Sequence, residues 1–390
     1  MRVGILLGKS DPTAGGGYTF QDEVFDALLT VAGQSRHSFV FMCPGEVATR
    51  LPQKPLSNAE VVAIDEETSA RPSGLFGRSR PIPRVRSLDE QLQAAGVEFV
   101  WQLSAHGQVF ELPYMTVVWD LQHRLQPWFP EVSAAGNWQH RDNLHTAVLG
   151  RAAAIIVGTE VGKLEVERFF RIDPSRILVI PHPTPRFAAA TAETTSPIRS
   201  KYGISGDYLF YPAQFWAHKN HVNLLMALDL LKSRFGRPLS VAFAGADHGN
   251  LAHVKATAER LGLSDRVHFL GFVPREDLIE LYRQAFALSY VTFFGPENLP
   301  PLEAFALGCP VIASEVSGAR EQLGDAVLYV DPTSPDQMAD AVVKLATEEG
   351  LRRQLIDAGR KIASTRTPKA FVSEVLAFLD RFEAVRRCWA

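Results

Sequence analysis

Residues 293–332, FFGPENLPPLEAFALGCPVIASEVSGAREQLGDAVLYVDP, hold the densest set of groups able to do chemistry. The stretch Gly295–Leu299 leaves backbone N–H groups free to face an anion. Pro300 and Pro301 set the start of a helix, where a missing N–H costs nothing. Glu303 then falls in the first helical turn, near the positive end of the dipole. A carboxylate beside exposed amides suits a ribose diol next to a diphosphate. The plainer alternative is a helix between two strands with a well-placed acid.

Three further segments carry candidate groups. In YPAQFWAHKNHVNLLMALDLL (211–231) Lys219 stands where a strand has ended and a helix is about to begin, within reach of a diphosphate. A lysine there opposes the helix dipole, which favours a bound anion over a plain surface charge. In LLGKSDPTAGGGYTF (6–20) the glycines 15–17 follow an apolar strand and let the backbone approach a ligand; a flexible loop is the alternative. In VVWDLQHRLQPWFP (117–130) Asp120 and His123 follow a strand end. Asp120 could contact an acceptor hydroxyl or a donor sugar; a capping Asp and a surface His are the alternative.

Composition narrows the classes. The 390 residues are too many for one ordinary core, and 46% hydrophobic with 21% charged residues is the balance of a globular enzyme. A net charge of -3 gives no reason to expect nucleic acid as a partner. Cys43, Cys309 and Cys388 lie far apart in no ligand spacing, which predicts a reducing, cytoplasmic setting without structural disulfides or zinc. The opening MRVGILLG does not read as a signal peptide, and no apolar run reaches bilayer-spanning length.

The elements that must position these groups alternate along the chain. RVGILL (2–7), HSFVFMC (37–43), VEFVWQL (97–103), YMTVVWD (114–120) and AAIIVG (153–158) read as buried strands, with helices at 21–32 and 143–151. After a small, polar linker at 188–197 the pattern restarts: strands at 208–213, 239–245, 267–273, 285–291, 309–314 and 328–332, with helices between and a helical tail from 334. The fold class is α/β, two doubly wound parallel-sheet domains facing a cleft. The expected boundaries are 1–190, 191–370 and a last helix, 371–390, crossing back to the first domain.

Taken in order, Pro300–Ala304, Gly308–Ser314, Gly318–Glu321 and Asp331–Pro332 resemble the signature of glycosyltransferase family 4, the group 1 enzymes of the GT-B fold. The resemblance implies that Glu303 holds the nucleotide ribose. It also implies that Lys219 and Gln214 face the diphosphate, Gln214 standing where relatives carry an arginine. Gly16 and Gly17 would face donor phosphates and acceptor, and Phe272 and Val273 would hold the base through backbone atoms. Asp120 and His123 match an Asp-x-Gln-His run in relatives, although Trp119 replaces their usual histidine. The family's first glutamate falls at Gly295; Glu297, Asn298 and the Leu299 amide are the nearby groups that could take over the donor contact. Polysaccharide and O-antigen mannosyltransferases share a similar Phe-Gly-Pro-x-Asn-Leu-Pro-Pro-Leu-Glu run.

The implied activity is transfer of a hexose, mannose-type, from a GDP- or UDP-linked donor to a glycan or lipid-linked acceptor, with retention and with no essential metal or other cofactor. Lys219, with Asp120 and His123 on the facing side, carries the catalytic expectation. A non-catalytic nucleotide- or glycan-binding protein, or an epimerase or phosphorylase of similar fold, is the alternative. The run RPSGLFGRSRPIPRVR (71–86) has five arginines and no acid. By itself it predicts a projecting, solvated loop; the resemblance, whose members often act on lipid-linked acceptors, implies that it holds the protein peripherally at an anionic inner membrane face or meets an acceptor pyrophosphate.

Overall fold

The computed structural model describes residues 1–7, 15–44, 58–64, 87–189 and 197–389. The arginine-rich run 71–86, most of the linker at 188–197 and residues 8–14 of the glycine-bearing turn lie outside the described residues.

The first unit runs β1 (Arg2–Leu6), α1 (Gly16–Val31), β2 (Ser38–Pro44), β3 (Ala59–Ile64), α2 (Leu88–Ala94), β4 (Phe99–Gln102), β5 (Tyr114–Val117), the short turns α3 (Gln122–Leu125) and α4 (Pro130–Ser133), α5 (Asn137–Arg151), β6 (Ala154–Val157), α6 (Glu160–Phe170) and β7 (Ile177–Val179). Its strands form one parallel sheet in the order β3-β2-β1-β4-β5-β6-β7. Ile5 pairs with Phe41 on one side and Trp101 on the other, which sets the register at the centre. The apolar runs are continuous because both faces of the sheet are covered, and Phe39, Phe41, Phe99 and Trp101 are all buried.

The second unit runs α7 (Ile198–Lys201), β8 (Tyr208–Pro212), α8 (His221–Ser233), β9 (Ser240–Ala244), α9 (Leu251–Arg260), β10 (Val267–Gly271), α10 (Arg275–Gln284), β11 (Ala287–Tyr290), α11 (Leu299–Leu307), β12 (Val311–Ser314), α12 (Ala319–Leu323), β13 (Val327–Val330), α13 (Pro335–Thr347), α14 (Leu351–Thr365) and α15 (Pro368–Arg386). Its parallel sheet has the order β10-β9-β8-β11-β12-β13. α15 leaves this unit and packs on the first: Phe371, Val372, Val375 and Leu379 join the core of β1, β2 and β4. Phe20 of α1 meets Phe371 edge to face with centroids 5.3 Å apart.

Three local expectations change. Gly16 and Gly17 are not loop but the first residues of α1, which starts five positions before the expected Gln21 because Phe20, Val24 and Phe25 extend its buried face. The helix carrying Pro300 and Pro301 starts at Leu299, which moves Glu303 into the second turn. The edge strand β3 was not expected from sequence; its half-exposed AEVVAI lacks the continuous apolar run of its neighbours.

Candidate active site in the interdomain cleft

In each sheet the strand order reverses once, between β1 and β4 and between β8 and β11. Loops leaving the carboxyl ends of strands at such a point diverge and open a crevice. A cleft of about 460 Å³ lies there between the two units. Trp119, Asp120 and Arg141 line it from the first unit, and Lys219, Gly295 and Asn298 from the second.

The second unit builds its wall from two loops tied by one hydrogen-bond chain. The Tyr211 hydroxyl donates to the carbonyl of Lys219 at 2.6 Å, which fixes the turn after β8. Lys219 Nζ then donates to the Tyr290 hydroxyl at 3.0 Å, and that hydroxyl donates to Asn298 Oδ1 at 2.9 Å. Asn298 Nδ2 closes the chain on the Gly295 carbonyl at 2.9 Å. Asn220, with φ 60, donates to the carbonyls of Val291 at 2.8 Å and Pro332 at 2.7 Å, pinning the turn that presents Lys219. Gln214 accepts from Trp216 Nε1 at 3.0 Å, and a Cβ on Gly15 would lie 3.4 Å from Gln214 Nε2. The start of α1 thus faces the second unit across the cleft. Gly16 lies against Leu299, whose Cδ1 would be 3.7 Å from an added Cβ. A Cβ on Gly17 would come within 2.7 Å of the Trp119 ring, so only glycine fits there.

On the first unit, Asp120 Oδ1 accepts from the Gln122 amide at 3.0 Å and from Arg141 Nη2 at 2.5 Å. His123 is not at the cleft edge. It is fully buried, stacked on His145 with centroids 5.6 Å apart, and its Nε2 lies 3.4 Å from Asp142 Oδ1. Burial and the nearby Arg141 lower its pKa and keep the ring neutral. Its neighbours on α5 draw it inward, a placement that the run Asp120–His123 does not encode.

Glu303 is buried, and its Oε2 accepts from the Tyr282 hydroxyl at 2.6 Å. Burial pushes its carboxyl up to about 7 against the lowering effect of that bond. The Glu297 carboxylate is occupied: it accepts from Arg366 Nη1 at 2.9 Å and from the His182 amide at 3.2 Å. Asn298, on the same loop, also lines the cleft. Phe272 is exposed and Val273 buried just after β10; neither lines the cleft.

Sequence reasoning missed the pairing of Glu131 with His218 across the cleft. The His218 amide donates to Glu131 Oε1 at 2.8 Å, and the ring stacks on Phe294 at 3.9 Å between centroids. Burial, with Lys219 close by, pushes the His218 pKa down to about 4. It also left Arg141 without a role. The only sequence signal for either was a cluster of polar residues after β5.

Residues 196–362 match the family model of the glycosyl transferases group 1. O-antigen chain mannosyltransferase B of Escherichia coli is 29% identical over 235 residues, 57% of this chain and 57% of that protein. The D-inositol 3-phosphate glycosyltransferase of Mycolicibacterium smegmatis is 30% identical over 210 residues, covering 52% and 47% of the two chains. The chain thus spans about half the length of the curated relatives it matches. Among solved structures, Anabaena Alr3699/HepE in complex with UDP and glucose superposes with a TM-score of 0.71 at 16% identity, over 98% of this chain and 100% of that one. WaaG, a glycosyltransferase involved in lipopolysaccharide biosynthesis, gives 0.69 at 18% identity, over 96% and 99%. Two parallel sheets meeting at their switch points give the chain the GT-B fold of those structures, and the signature at 300–332 lies within the stretch 196–362 that matches the group 1 glycosyl transferases.

Proposed function

We propose that this protein is a retaining hexosyltransferase that moves a sugar, mannose-type, from a GDP- or UDP-linked donor to a glycan or lipid-linked acceptor. The observation that carries the reading is the Lys219–Tyr290–Asn298 chain on the second unit, facing Asp120 and Arg141 across the cleft. The mannose preference rests on the name of the Escherichia coli relative and on the run at 293–303. In this reading the donor lies on residues 191–370 and the acceptor on residues 1–190.

The chemistry is leaving-group stabilisation. As the glycosidic bond breaks, negative charge grows on the diphosphate; Lys219 and the amides leading into α11 meet it there. The acceptor hydroxyl attacks from the face the diphosphate leaves, forming the new glycosidic bond and passing its proton to a diphosphate oxygen. Asp120, held by Arg141, orients the acceptor or the sugar. Glu303 holds the ribose.

The test is calorimetry with UDP and GDP, followed by transfer from the matching nucleotide-sugars, with the product anomer read by NMR. Micromolar binding and a retained anomer are expected. Failure to bind either nucleotide overturns the reading; binding without turnover on any acceptor leaves a nucleotide-binding module. Among the described residues no helix is long and apolar enough to cross a membrane. Contact with an anionic membrane face through the arginines of 71–86 belongs to the same proposal and rests on sequence alone.

A further inference from the structure

We infer that Glu297 is a positioning residue that locks the donor loop onto the first unit, and that Gly158 is the seat made for it. The inference rests on the donor reading of the cleft. Glu297 sits between β11 and α11, on the loop that presents Gly295 and Asn298. Its side chain is 2% exposed, so its charge has lost almost all contact with bulk water. Burial of that kind is tolerated only with good partners. Arg366, in the crossing between α14 and α15, donates at 2.9 Å, and the His182 amide donates at 3.2 Å with its Nδ1 3.4 Å away. Gly158 follows β6 in the first unit. A Cβ there would fall 1.3 Å from Glu297 Oε2 and 2.2 Å from its Cδ. The Gly158 backbone is not in the left-handed region, so glycine is needed for space alone.

A second carboxylate of the second unit is seated the same way. Glu321 accepts from the amides of Glu160 at 2.7 Å and Val161 at 3.0 Å, at the start of α6, and Arg366 Nη2 donates to the Glu321 carbonyl at 3.1 Å. Arg366 therefore ties both acidic contacts to the crossing that any rotation of the two units must bend. Closing the cleft sets Glu297 in its seat, and seating Glu297 fixes the loop whose amides meet the leaving diphosphate.

Gly158→Ala, Glu297→Ala and the double variant test this in the full chain. Solution scattering reads the opening of the two units, calorimetry reads UDP and GDP affinity, and steady-state assays separate kcat from KM. Each single variant is expected to open the molecule and lower kcat about tenfold or more, with nucleotide affinity within about threefold of wild type. The double variant should match Glu297→Ala, because the added methyl then meets no carboxylate. If Gly158→Ala does not fold, Glu297→Gln, which keeps the shape and loses the charge, must still open the molecule. Wild-type scattering in Gly158→Ala or Glu297→Gln, or a double variant as impaired as the product of the singles, overturns the lock. Absent UDP and GDP binding in wild type removes the donor reading instead, while scattering still decides the lock.

Discussion

Lys219 Nζ and the Tyr290 hydroxyl meet at 3.0 Å, so the cation proposed to meet the diphosphate is aimed by the strand next to its own. Charge on the diphosphate is greatest in the transition state, and Lys219→Ala should therefore lower kcat more than donor affinity. A loss of about 10²–10³ in kcat is expected. Tyr290→Phe keeps the ammonium but frees it, and should give a smaller loss in the same parameter. Normal turnover with a weakened apparent affinity in Lys219→Ala would make it a binding residue only.

If Glu303 holds the ribose as proposed, its carboxyl, raised to about 7 by burial, should give nucleotide binding a pH dependence. Ribose hydroxyls donate to the charged form, so binding draws the proton off, and affinity should fall as pH drops below about 7. Calorimetry in buffers of different ionisation enthalpy should show proton release at pH 6 and little at pH 8. Glu303→Gln should abolish the dependence, and Glu303→Ala should weaken UDP or GDP about tenfold.

Glu165 on α6 is buried, and burial with the nearby Asp120 raises its carboxyl to about 7. The folded chain then binds a proton the unfolded chain releases between pH 4.5 and about 7, so stability falls as pH rises through that window. Glu165→Gln should match wild type in urea unfolding at pH 4 and exceed it at pH 8 by about 3 kcal/mol. Equal stabilities at both pH values would show that Glu165 titrates normally.

Liposome co-sedimentation reads the arginine-rich run. Wild type should pellet with anionic vesicles at low salt and leave them at high salt, at about 1 kcal/mol for each basic residue near the surface. A variant with Arg71, Arg78, Arg80, Arg84 and Arg86 replaced by alanine should stay in the supernatant. Equal recovery of the two proteins removes the membrane contact.

Sheet class, the order of elements and the signature loop were legible from sequence because they are local. Continuous apolar runs mark doubly covered strands, and Pro300, Pro301 and Gly308 mark helix ends. The same locality put Lys219 and Glu303 on the second unit. What only the tertiary structure decided are contacts between residues far apart in the sequence. His123 turns inward onto His145, 22 positions away, and Glu131 finds His218, 87 positions away. Glu297 meets Arg366, 69 positions away. None of these pairs has a periodicity or a turn chemistry to betray it. Each exists because elements folded by their own patterns pack together and bury polar groups that then need partners.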